Sequence, residues 1–274
     1  MINTHKFYDI KDLDLEQTFE CGQCFRWNKE EDGSYTGIAL GYPANMKLEG
    51  DTLTVTGCGS RKFWEEYLDL GSDYEGMQKI LTMGEGEVLP EAVKAGSGIR
   101  ILKQDLWETV VDFIISQNNN IPRIKGCIEK LSETQGECVG EFRGKKWYSV
   151  PSPEKLASLD VTDLAPVRLG YRDKYLIETA RQWLELDDEK RKDVGQFTGV
   201  GPKVESCIRL FGMHDLKSFP IDVWVKRLMN RFYGFDEKDK NGMDRFARDH
   251  FGKYAGLAQQ YLFYYIRCLE SDRK

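Results

Sequence analysis

A lysine attacks an electrophilic carbon as the free amine, and a carboxylate beside that carbon steadies the positive charge that develops on it. Lys203 and Asp222 are candidates for such a pair, nineteen residues apart in the stretch FTGVGPKVESCIRLFGMHDLKSFPID, Phe197 to Asp222. Gly199 and Gly201 can take positive φ at little steric cost, so Gly199-Val200-Gly201 is expected to form a tight turn with outward amides. Pro202 suits the first turn of a following helix, and a helix N-terminus with free amides attracts phosphate. Lys203 then lies in that first turn, with Cys207 at i+4 on the same face. The positive end of the helix and partial burial both favour the free amine, while Asp222 at an N-cap would stay ionised. The set fits attack on a sugar C1′ whose phosphates the turn holds. Displacement of the base by the amine gives a Schiff base, which can eliminate the 3′ phosphate. The plain alternative is a solvated lysine and an aspartate that only caps a helix.

Composition sets the frame for this chemistry. The 274 residues suffice for two domains or one large one, and 41% hydrophobic with 12% aromatic residues describes a soluble folded chain with no run that could span a membrane. MINTHKFYDIKDLDLE lacks an apolar core, so no secretory signal is expected. Localisation is expected to be cytoplasmic and nucleoid-associated, or nuclear in a eukaryotic source. Seven irregularly spaced cysteines favour free thiols, and the Cys21-x-x-Cys24 pair has no second pair at ligand spacing, so metal binding is not expected. The net charge of -6 is uneven: residues 1–100 carry 10 basic and 18 acidic side chains, leaving 29 and 27 for 101–274. The second part can therefore present a local basic face.

The elements that must position the pair divide in the same place. Residues 5–56 read as strands broken by turn signals at Asp32-Gly33, Gly41-Tyr42-Pro43 and Glu49-Gly50-Asp51, an antiparallel sheet. Amphipathic helices follow over 62–70 and 74–82, and glycines at 84, 86, 96 and 98 bracket a short helix. From Asp105, a cap, the helical period dominates: helices open at Asp105, Pro122, Ser152-Pro153, Thr162, Tyr171, Asp222, near Lys238 and near Tyr254. The expected fold is α+β: a mixed α/β domain over 1–100 built on an antiparallel sheet, then an all-α helix-hairpin-helix bundle over 101–274.

The hairpin GVGPK with the downstream PIDVW resembles the helix-hairpin-helix DNA glycosylases that carry a glycine-proline-aspartate signature. CGQCFRW at Cys21, SQNNNIPRI at Ser116, LGYRDKY at Leu169 and YAGLAQQYLF at Tyr254, in that order with GVGPKVESC and PIDVW, narrow the resemblance to the 8-oxoguanine DNA glycosylases. It spans nearly the whole chain. Only Cys268 lies near the C-terminus, so the iron-sulfur branch of the superfamily does not fit. The resemblance implies a bifunctional glycosylase and abasic-site lyase that acts on double-stranded DNA containing 8-oxoguanine, preferably opposite cytosine. It implies no required cofactor and suggests a monovalent cation at the hairpin carbonyls. A monomer is expected, because one protein must surround one flipped base.

Residue by residue, the resemblance makes Lys203 the nucleophile and Asp222 its assisting carboxylate, with Gly199 and Gly201 in the DNA-gripping hairpin. Asn118 would fill the gap left by the flipped base, Tyr171 would wedge into the stack, and Arg123 and Arg172 would read the widowed cytosine. Gly22 would offer a backbone carbonyl to the lesion's N7 hydrogen, where guanine has only an acceptor; one bond gained against one unmade separates the bases by on the order of 1–3 kcal/mol. Gln259 would bond the base's Watson-Crick edge, and Phe263 would stack on one face with Cys207 near the other. Two departures stand out: Trp224 replaces a histidine that contacts DNA in eukaryotic members, and Thr198 takes a hairpin position where proline is frequent. The other readings are a monofunctional alkylated-base glycosylase and a DNA-binding module without chemistry.

Overall fold

The computed structural model describes residues 2–83 and 88–271. The first half is organised on five antiparallel strands, β1 Asn3–Phe7, β2 Trp27–Lys29, β3 Tyr35–Ala39, β4 Tyr42–Glu49 and β5 Thr52–Gly57, in the order β1-β5-β4-β3-β2. β5 shows why this segment is a strand: Leu53 and Val55 are buried and alternate with half-buried threonines. One stretch departs from the strand pattern. Leu15–Glu20 is a short helix, α1, because the Asp14 carboxylate accepts the Gln17 N–H at 2.8 Å and caps it. Aromatic packing closes the sheet core, with Trp27 stacked on Phe19 at 4.6 Å and its indole N–H donating to the Tyr67 hydroxyl at 2.8 Å.

Helices α2 Arg61–Tyr67, α3 Tyr74–Thr82 and α4 Val88–Ala95 lead out of the sheet; Gly84 and Gly86, two of the glycines expected to bracket α4, lie outside the described residues. The bundle then runs through α5 Leu106–Ser116, α6 Ile121–Gln135, α7 Pro153–Ala157, α8 Arg172–Leu184, α9 Asp188–Arg191, α10 Pro202–Gly212, α11 Val223–Tyr233, α12 Lys240–Phe251 and α13 Ala255–Ser271. α5 is buried from Trp107 to Ser116, so it forms the centre of the bundle, with Phe113 stacked on Phe211 of α10 at 5.3 Å. Each such apolar side chain contributes about 1.5–3 kcal/mol on burial. Thr162 does not open an α-helix; a turn leads there into a 3-10 segment, Ala165–Val167, with Pro166 inside it. A hairpin of β6 Cys138–Phe142 and β7 Lys145–Tyr148 follows α6 and had no alternating signal, since four of the five residues of β6 are exposed.

Two polar clusters join the sheet to the bundle. Asp69 is buried and accepts hydrogen bonds from Ser72 Oγ at 2.9 Å and Tyr74 Oη at 3.1 Å; it pairs with Lys103 Nζ at 2.7 Å and His214 Nε2 at 3.4 Å. Burial alone would raise its carboxyl, but His214, Lys103 and Ser72 outweigh it and hold the group well below the usual range. This carboxylate thereby ties the end of α2 to the linker and to the loop after α10. In the second cluster Arg26 is buried, bonded to Glu129 at 3.0 Å and to the Tyr148 carbonyl at 2.8 Å, with Glu108 at 3.9 Å.

Asp112, one turn after Glu108, is also buried and its Oδ1 has no hydrogen-bond partner. Burial first, and then the charge of Glu108, push its carboxyl well above the usual range, with Arg26 opposing. The folded chain thus keeps a proton on Asp112 that the unfolded chain releases above its ordinary value near 3.8. Stability contributed here falls as pH rises, by up to about 1.4 kcal/mol per pH unit. Asp112→Asn, which mimics the protonated form, should raise the denaturation midpoint relative to the parent more at pH 8 than at pH 5; chemical denaturation at both values tests it, and an equal shift at the two would refute the assignment.

Candidate active site

Lys203 and Asp222 are brought to one place by two helix starts. Lys203 is the second residue of α10, and its Nζ lies 5.4 Å from the centroid of the Phe113 ring, above the most buried helix of the bundle. Asp222 is the N-cap of α11, its Oδ1 accepting the Val225 N–H at 2.8 Å. Burial pushes the Asp222 carboxyl above its usual range, while the Val225 N–H and the Lys203 charge pull it back. Cys207, a turn beyond Lys203, is buried; burial pushes its thiol up, and Lys203 opposes through its charge and a hydrogen bond. Both groups thus feel the same lysine.

The hairpin is seated on α8. Gly199 has φ 81°, and the Val200 N–H donates to the Phe197 carbonyl at 3.0 Å, the pattern of a turn with glycine at its third position. A Cβ on Gly199 would lie 2.5 Å from the Tyr175 ring, so the close approach demands glycine as much as the φ does. Gly201 differs from expectation: it is extended at φ −89°, ψ 174°, it caps α10 without a side-chain bond, and a Cβ there would meet open space. One left-handed residue is enough to turn this chain. Thr198, in the place where proline is frequent, donates its N–H to Gln182 Oε1 at 2.8 Å and accepts from Thr179 Oγ1 at 2.8 Å. A proline there would lack the first of these bonds. The carbonyls of Phe197 and Gly201 each accept a backbone N–H and keep a second lone pair.

An open cleft of about 1010 Å³ runs past the pair and is lined by Asn118, Tyr171, Gly201, Lys203, Asp222 and Trp224 among other residues. Asn118 is exposed and left-handed at φ 45°, a conformation that asparagine tolerates better than most residues. Arg172 fixes it there. This guanidinium is buried and donates to the carbonyls of Gln117, Asn118 and Leu169, at 2.9 Å to Gln117 through Nε and 3.1 Å to Asn118, and it lies 4.5 Å from the centroid of the exposed Tyr171 ring. Arg123 is exposed, with Nη2 on the Arg168 carbonyl at 3.1 Å. Trp224 carries the Arg227 guanidinium 5.2 Å from its ring.

The base-recognition candidates stand apart from the open cleft. Gly22 has φ 83°, and a Cβ on it would lie 3.4 Å from the Phe263 ring, so Phe263 rests against the CGQC turn. That turn is knitted by Gln23, whose amide donates to the Thr18 and Arg100 carbonyls and accepts the Leu102 N–H. Gln259 is buried, its Oε1 accepting from Gln260 Nε2 at 2.7 Å. Tyr175, Thr179 and Gln182, which hold the hairpin, were not singled out from the sequence, and of these Tyr175, one turn after Tyr171, had a spacing signal; Phe113, beneath Lys203, is legible there only as part of an apolar helical stripe. The two hairpin glycines should separate in experiment. Gly199→Ala should cost about 1–3 kcal/mol from its φ alone, with the Tyr175 clash added. Gly201→Ala should leave stability within about 0.5 kcal/mol and weaken duplex binding instead; equal stability losses in thermal melts would refute this division.

The likeness to known proteins extends over nearly the whole chain. Residues 111–251 match the HhH-GPD superfamily base excision DNA repair protein model, and residues 7–110 match the 8-oxoguanine DNA glycosylase N-terminal domain model. The chain is 42% identical to the protein in a structure of MBOgg1 with a low affinity DNA ligand, with 98% of this chain and 99% of that one covered at a TM-score of 0.92. It is 36% identical, again at TM-score 0.92 and covering 98% of both chains, to the Clostridium acetobutylicum 8-oxoguanine glycosylase/lyase bound to DNA with cytosine opposite 8-oxoG. A probable N-glycosylase/DNA lyase of Methanothermobacter thermautotrophicus is 28% identical over 94% of this chain and 95% of its own length. With both models matched in series and the fold shared from end to end, the chain belongs to the HhH-GPD superfamily of base excision DNA repair proteins, in its 8-oxoguanine DNA glycosylase branch.

Proposed function

We propose that this protein excises 8-oxoguanine opposite cytosine from duplex DNA and cleaves the resulting abasic strand. The observation that carries the reading is the meeting of Lys203 and Asp222, each at a helix start, on the wall of one cleft. The Lys203 amine attacks C1′ of the flipped nucleotide, and the glycosidic electron pair leaves with the base, which takes up a proton. The Asp222 carboxylate stabilises the oxocarbenium charge during departure. Ring opening gives a Schiff base on Lys203; loss of a C2′ proton then expels the 3′ phosphate by β-elimination.

Removing a base from the stack costs a few kcal/mol, and something must fill the hole. Asn118 fills it, held by Arg172, and Tyr171 wedges beside it. Arg123 and Arg172 donate to O2 and N3 of cytosine, which are both acceptors, whereas thymine N3 carries a hydrogen. For Arg172 this means exchanging at least one carbonyl partner. The Gly22 carbonyl selects the lesion, Gln259 bonds its Watson-Crick edge, and the base enters between Phe263 and Cys207 by parting the Phe263 ring from Gly22. Trp224 takes the place of a DNA-contacting histidine and offers an indole N–H. A monovalent cation at the hairpin carbonyls would add positive charge beside the phosphate.

Borohydride reduction with a labelled duplex containing one 8-oxoguanine opposite cytosine should trap a covalent complex, and Lys203→Gln should abolish it; trapping by that variant would sink the Lys203 assignment. Placed in turn opposite C, T, G and A, the lesion should be cut strongly opposite C alone. Equal cutting opposite all four would remove the cytosine-reading role of the two arginines.

A further inference from the structure

The cleft is larger than one nucleotide needs, and its far wall carries charge that the chemistry does not use. Six cations line it against four carboxylates, Glu205, Asp215, Asp222 and Asp244. Glu205 is paired with Arg209 at 3.0 Å and Asp244 with Arg248. Asp222 caps α11, and Asp215 is turned into its own loop, accepting the Lys217 N–H at 3.2 Å and Ser218 Oγ at 3.0 Å. Among the described residues Lys217, Lys226 and Lys240 have no ion pair. Three separate elements supply them: the loop after α10, the first turn of α11, whose sequence VWVKRLMNRFY holds no acidic residue, and the first position of α12. In a chain of net charge -6 this wall has the opposite sign.

The geometry points to a second DNA grip: Lys217, Lys226 and Lys240 bind the backbone phosphates of the duplex along the α11–α12 side of the cleft, in addition to the hairpin's own phosphate site. The inference rests on the nucleic-acid reading above and adds to it where the backbone is held. The duplex is favoured over a free anion because the three ammonium groups come from three elements along an open cleft rather than converging in a closed pocket, which suits a ligand with repeated charges. Phosphate contacts of this kind position DNA without reading its sequence.

Counterion release makes the grip measurable. The slope of log affinity against log salt should fall by about 0.9 for each lysine that meets a duplex phosphate. Binding of an 8-oxoguanine·C duplex and of an undamaged duplex is therefore followed from low to moderate salt for the parent, the three Lys→Gln variants, the triple variant and Lys94→Gln. Lys94 is exposed on α4, away from the cleft, and serves as the control. The expected result is a triple variant whose slope is lower by about 2–3 for both duplexes alike, with the control unchanged. A slope equal to the parent's, or a loss confined to the lesion duplex, would overturn the grip. Inorganic phosphate that binds at millimolar concentration in the parent, with no change of duplex slope in the triple variant, would assign the wall to a free anion instead and equally overturn it. If lesion excision fails while the slope change appears, the chemistry proposed above falls and the grip stands.

Discussion

The hairpin can rest on α8 only because Gly199 has no side chain, and much of the site hangs from that contact. The Tyr175 ring occupies the space where a Cβ would be, so the turn presses against the helix instead of standing off it. α8 in turn starts with Arg172, whose guanidinium holds the carbonyls of Gln117 and Asn118. One helix therefore places the glycine turn with its middle and Asn118 with its first residue. Lys203 follows the turn by two residues, so its position is inherited from the same contact. A small change in how the hairpin sits on α8 would shift Lys203 relative to Asn118.

Burial organises the second relation, between Lys203 and the bundle. α5 is enclosed along most of its length and ends at the loop that carries Asn118, while its Phe113 lies beneath Lys203. A helix with no solvent-facing side is a rigid floor, and the groups that need accurate placement stand at its C-terminal end. The cost of such burial appears at Asp112 in the same helix, whose Oδ1 has no hydrogen-bond partner and whose carboxyl is pushed well above the usual range.

What could be read in the sequence was what local chemistry dictates. Asp105 and Asp222 cap helices, as short polar residues before apolar periods should, and the antiparallel sheet followed from Gly-marked turns and alternation. The order of six segments placed the site residues in the chain. Less legible was everything decided by distant partners. β6 and β7 lack alternation because they lie mostly in solvent and bury only Phe142 and Trp147 against Ile38. Thr198 stood out as a departure, but the amide of Gln182 that makes threonine useful there comes from another helix. The sequence allows positive φ at both Gly199 and Gly201, and only the three-dimensional turn shows that one reversal, at Gly199, suffices. Arg172 was read as a group facing DNA, yet three backbone carbonyls occupy it.

The buried thiols bear on the conditions under which such a protein works. The thiolate, not the thiol, reacts with peroxides. Burial pushes the Cys21 thiol up to about 12 and raises that of Cys207, next to the lysine, as well as that of Cys24. Cys138, in the outer hairpin, is exposed. An oxidant in solution therefore reaches Cys138 at the periphery more readily than the buried Cys207 near Lys203.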